Sequence, residues 1–133
     1  MIMKRIFATA ALAAAALAVP ALASAKAPIE GHWANPKHSV IVHIAPCGDA
    51  YCGTVTWASA KAKQKTGDEL VGMQLMTGFR PAGPNSYKGR VFEPRHDLRA
   101  SGTITLTSPN SLSVRGCAVI GLLCKEQRWT RVS

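Results

Sequence analysis

Thr103-Ile104-Thr105-Leu106-Thr107-Ser108-Pro109-Asn110-Ser111-Leu112-Ser113-Val114 carries the reading of the whole chain. Ile104 and Leu106, then Leu112 and Val114, alternate with threonine and serine around a Ser-Pro-Asn turn. Apolar groups at every second position, with hydroxyl groups between them, are what a half-buried antiparallel hairpin requires. The same period extends upstream. Val40, Val42 and Ile44 share one face, and Tyr51, Gly53, Val55 and Trp57 are expected to share another. Further strands are expected at 31–34, 86–92 and 126–132, and 70–79 reads either as an irregular strand or as a helical turn. Turn residues separate them at Pro46-Cys47-Gly48, 81–85 and 94–97. Seven or eight short strands at regular intervals predict a small all-β antiparallel barrel or sandwich. No amphipathic helix is expected. The stretch 58–69, with Lys61, Lys63 and Lys65 among small residues, reads as a solvated loop, with a specific anion-binding strip as the alternative.

The N-terminus predicts export. Lys4 and Arg5 precede an apolar run from Ile6 to Val19, Pro20 breaks it, and small residues follow at Ala23 and Ala25. This is the order of a secretory signal, with cleavage expected after Ala25 or, alternatively, after Ala23. The run falls short of the roughly 20 apolar residues that a spanning helix needs. The expected organisation is therefore a signal peptide at 1–25 and a single β-barrel domain at 26–133, periplasmic or secreted, with no transmembrane segment after cleavage.

The chain has 16 Lys+Arg against 7 Asp+Glu. Two of the bases lie in the leader, so the mature domain carries about +7, which points to anionic envelope surfaces; no nucleic-acid partner is expected. All four cysteines, Cys47, Cys52, Cys117 and Cys124, are in the mature part. An even number in a small exported chain reads as a disulfide framework. Three pairings are open; Cys47–Cys52 and Cys117–Cys124 are favoured because each bracket encloses a plausible turn. The spacings suit neither a zinc site nor a thioredoxin-like redox pair.

The two ends of the domain carry a resemblance. Gly31-His32-Trp33 near the start and Trp129-Thr130-Arg131 near the end resemble the closure of lipocalin-type barrels, in which an arginine on the last strand covers a tryptophan on the first. Pro46-Cys47-Gly48, Cys52-Gly53-Thr54-Val55-Thr56-Trp57, Leu70-Val71-Gly72, Gly78-Phe79-Arg80-Pro81, Gly89-Arg90-Val91-Phe92 and Gln127-Arg128-Trp129-Thr130-Arg131 follow in order. Together they resemble a bacterial exported family known as domain of unknown function 2147. The resemblance covers nearly the whole mature chain. It implies a calycin-like barrel in the envelope, closed between Trp33 and Arg131, and brings no established activity with it.

No catalytic constellation is read from the residues. His32, His38, His43 and His96 are scattered, and only His96-Asp97 has an adjacent acid. There is no nucleophile elbow, no metal-binding spacing and no paired acids, so neither enzyme nor cofactor is expected. The leading expectation is non-catalytic binding of a small apolar or amphipathic ligand in the barrel. Trp57, Met73, Met76, Phe79 and Phe92 are the candidate lining residues. The alternative is an envelope interaction protein whose basic surface docks on anionic lipid, polysaccharide or a protein partner.

Overall fold

The computed structural model describes residues 26–118 and 123–133. The expected signal peptide and residues 119–122, within the turn expected between Cys117 and Cys124, lie outside them. Eight antiparallel strands run in chain order and close into a barrel: β1 (Gly31–Ala34), β2 (Val40–Cys47), β3 (Ala50–Ala58), β4 (Gln74–Pro81), β5 (Ser86–Glu93), β6 (Leu98–Ser108), β7 (Ser111–Ala118) and β8 (Leu123–Arg131). Closure gives each of these strands two partners, so among the described residues no strand is left at a sheet edge. The hairpin at 103–114 is β6–β7, with Ile104 opposite Val114 and Leu106 opposite Leu112 around Pro109-Asn110.

Closure is made where Trp33 pairs with Arg131. Trp33 is fully buried, and the Arg131 guanidinium carbon stands 4.3 Å from its ring centre. The same guanidinium donates to three backbone carbonyls: Nη1 to Glu30 (2.8 Å), Nη2 to Pro28 (2.6 Å) and Nε to Pro109 (3.0 Å). The segment before β1 is thereby drawn across one end of the barrel. There the fully buried Ile29 accepts the Trp33 indole N–H through its carbonyl at 2.9 Å. Both disulfides have the favoured pairing: Cys47–Cys52 clips the β2–β3 turn, and Cys117–Cys124 joins register partners on β7 and β8.

Two expectations are corrected. The face assigned to β3 reverses before its end. Ile41 pairs with Trp57 while Val42 pairs with Val55, so Thr56 is an extra residue, its hydroxyl donating to the Ile41 carbonyl. This bulge shifts the alternation by one. Ala58 faces inward, and Trp57 is turned outside the barrel with 47% of its surface exposed. The stretch read as a loop at 58–69 contains a helix, α1 (Ala60–Thr66), followed by a 3-10 turn at Asp68–Leu70. Ser59 caps α1 by accepting from the Ala62 N–H at 3.1 Å. The helix buries no residue, so it leaves no apolar period in the sequence to announce it.

Candidate functional site

The barrel is filled at one end and hollow at the other. A row of glycines marks where the filling stops, and the last of them, Gly116, borders the hollow half. Gly89, Gly102 and Gly116 are register partners across β5, β6 and β7. Without side chains on that stretch of wall, bulky neighbours fold over it. A Cβ on Gly89 would lie 2.7 Å from Phe79 Cγ, one on Gly102 would lie 3.0 Å from Phe79 Cζ, and one on Gly116 would lie 2.9 Å from Val91 Cγ2. Phe79 is thus a packed part of the core, together with Trp33, Ile44, Ile104 and Leu112.

Beyond this layer lies a cavity of about 920 Å³. That is within the roughly 300–1,000 Å³ of small-molecule pockets. Its walls are Val40, Leu70, Leu75, Met76, Val91, Ala100, Val114 and Trp129, one or more from each of strands β2 and β4 to β8 and from the β3–β4 connection. The Trp129 indole N–H is already donated to Gln127 Oε1 at 3.2 Å. Its ring therefore presents apolar surface with no unmet polar demand. Cys117–Cys124 holds β7 to β8 at this hollow end, next to the lining residue Ala118.

The mouth is built from connections far apart in sequence. The β1–β2 connection supplies Asn35 to Ser39, α1 supplies Lys61, Ala62, Lys65 and Thr66, and the β5–β6 turn supplies Pro94, Arg95 and His96. Asn35 organises the first of these: its Oδ1 accepts from Ser39 and Val40 N–H, and its Nδ2 donates to Ser39 Oγ. Around the cavity stand Lys37, Lys61, Lys65, Arg95 and Lys125, with His38 and His96 beside them. Among the described lining residues Glu93 is the one acid. Its Oε2 accepts from both the His96 backbone N–H and Nδ1, each at 2.8 Å, so it serves as the cap of its own turn. The cations influence one another. Lys61 first, then Arg95, with Lys37 adding to them, push the Lys65 ammonium below the usual lysine range.

The five expected lining residues divide. Met76 and Phe92 border the cavity, Phe92 half-buried with the Arg99 guanidinium 4.5 Å from its ring centre. Phe79 lies in the packed layer, and Met73 packs against the core without reaching the cavity. Trp57 is a correction: the Thr56 bulge places it on the outer wall, so it lines nothing inside. Sequence reasoning missed Val91, Val114 and Trp129, although their alternation on β5, β7 and β8 marks them as inward. The charged turn at 93–97 comes to the mouth, where His96 is tied to Glu93. His32 and His43 stack on each other at 4.4 Å as register partners on β1 and β2, away from the cavity. Among the described residues no group of three or more His, Cys, Asp and Glu is placed to hold a metal.

Comparison with known proteins matches residues 31–131 to a family described as an uncharacterized protein conserved in bacteria (DUF2147). No curated protein matches the chain. Among solved structures it is similar to protein HP1028 from the human pathogen Helicobacter pylori, described as belonging to the lipocalin family. Sequence identity is 14%, the TM-score is 0.61, and the match covers 78% of this chain and 82% of that one. At that identity the likeness shows a shared lipocalin-like barrel fold.

Proposed function

The chain belongs to the bacterial DUF2147 family, and we propose that this member is a non-catalytic binding protein that takes one small apolar or amphipathic molecule into the hollow half of its barrel. One observation carries the reading: the layer at Phe79 stops filling the interior partway, and the space beyond it is walled by apolar side chains. A protein interior is ordinarily packed to crystal-like density. Apolar walls of this size facing water forgo burial worth roughly 25 cal/mol per Å², which an apolar ligand restores.

The site of action we propose is outside the cytoplasm, in the periplasm or secreted. Two disulfides, membership of a bacterial family and the leader read at residues 1–25 support it. No helix among the described residues is long and apolar enough to cross a membrane.

Native mass spectrometry of protein purified without denaturation tests the function. The expected spectrum contains a one-to-one small-molecule adduct, native or acquired on exposure to bacterial lipid extract. Ala100→Phe, which projects a ring into the cavity from β6, is expected to lose the adduct while keeping a cooperative unfolding transition. Unliganded spectra for both proteins after lipid exposure, with salt-sensitive binding to anionic vesicles instead, would favour the envelope-docking alternative.

A further inference from the structure

We propose that the ligand is a single-chain amphiphile with an acidic head group, carboxylate or phosphate, whose chain fills the cavity while the head is held at the mouth by Lys61, Lys65 and Arg95. This rests on the cavity reading above and names the class of molecule it takes. Three observations converge on it.

The first is the balance of charge. Five Lys and Arg border the cavity against Glu93 alone among the described lining residues, and the Glu93 carboxylate is engaged by the His96 backbone and imidazole. An entering anion therefore meets no competing free carboxylate in the described lining. The second is the segregation of the two chemistries. Apart from Leu70 the apolar wall residues lie on the barrel strands, and four of the five cations, Lys37, Lys61, Lys65 and Arg95, lie on the connections around the opening, with Lys125 on β8. This matches a molecule with an apolar body and one charged end.

The third is that α1 carries its lysines at a local disadvantage. Lys61 and Lys65 are four apart, so they share one helix face, where like charges repel. The first turn holds no acid. Lys61 instead puts a cation there, against the direction the helix dipole favours. The 3-10 turn bearing Arg95 packs beside this helix, and Lys65 feels both Lys61 and Arg95. A negatively charged head group placed between these cations turns their mutual repulsion into shared attraction. Neutral or cationic head groups do not.

Titration calorimetry with ten-carbon probes tests this on the full mature protein. Decanoate and decyl phosphate are expected to bind about tenfold or more tightly than decanol at low ionic strength, the advantage shrinking in high salt as the exposed charges are screened. Lys61→Gln with Lys65→Gln should reduce decanoate affinity roughly five- to tenfold and leave decanol unchanged. Both lysines are exposed, so the double variant is expected to fold, which its unfolding transition verifies. Equal affinities for decanoate and decanol, or tight binding of decyltrimethylammonium, would overturn the acidic head group and leave the cavity reading standing. Failure of all these probes to bind would overturn the cavity reading and this inference with it. Inorganic phosphate binding as tightly as decyl phosphate would show that the cations read a free anion, and would also overturn it.

Discussion

Arg131 covers the Trp33 ring from the strand that pairs with it, and from that one position ties down the carbonyls of Pro28, Glu30 and Pro109. Strand closure and the plug at the filled end thus depend on one planar cation. Lysine keeps the charge but lacks the rigid fork of donors. Arg131→Lys is expected to destabilise the fold by about 1–3 kcal/mol, with Arg131→Ala at the upper end. Urea midpoints measure it. A lysine variant as stable as the parent would show that charge alone suffices.

The packed layer sets where the cavity begins. A methyl group on Gly89 would stand 2.6 Å from the Thr77 carbonyl oxygen and 2.7 Å from Phe79 Cγ, and the first of these is backbone that side-chain repacking does not clear. Gly89→Ala should lower stability by about 1–3 kcal/mol through overpacking. Phe79→Ala should cost about 3–5 kcal/mol, since it empties the layer itself. Trp57→Ala, by contrast, removes an outward ring and should change stability by no more than about 0.5 kcal/mol beyond its loss of strand propensity. Thermal or denaturant unfolding of the three variants ranks them, and a Trp57 variant as damaged as the Phe79 one would contradict the bulge.

Each disulfide closes a short loop. Replacing either pair by serine should cost roughly 2 kcal/mol by loop-closure entropy. The pairs differ in place: Cys47–Cys52 lies at the filled end and Cys117–Cys124 at the mouth. Only the second replacement should also weaken binding of a cavity ligand. Loss of binding in the Cys47/Cys52 variant alone would place the site at the wrong end of the barrel.

The outer wall carries a pH response. Burial first, then the facing charge of His32 and that of Lys26, hold the His43 imidazole below its ordinary value of 6.5, with Glu30 opposing them. The unfolded chain therefore takes up this proton at a pH where the folded chain resists it, so stability falls as pH drops below about 6.5 and levels off once folded His43 is also protonated. His43→Gln should flatten this part of the profile between pH 7.5 and 5. An unchanged profile in denaturant titrations at those two values would assign the acid sensitivity to other groups.

Much of the fold was legible because its signals are local or terminal. The β6–β7 alternation, the cysteine brackets and the Trp33–Arg131 closure are written in adjacent residues or at the two ends of the domain. The reversal of β3 was not legible: Tyr51 to Trp57 alternates without a break, and the extra residue at Thr56 exists only in register with Ile41. Helix α1 was hidden because it buries no residue and sets only Ala62 against the core, leaving Ser59 before a run of good helix formers as its one signal. The mouth was the least legible feature. Lys37, Lys61, Lys65, Arg95 and Lys125 come from four separate segments, and only barrel closure gathers them around one opening.

Methyl-detected NMR during a decanoate titration addresses the hollow half most directly. The methyl signals of Leu75, Met76 and Val114 are expected to shift together and saturate at one equivalent, while those of Ile44 and Ile104 in the packed layer stay nearly still. Shifts confined to outward-facing methyls, or saturable shifts at Ile44 and Ile104 with Met76 unmoved, would contradict this expectation.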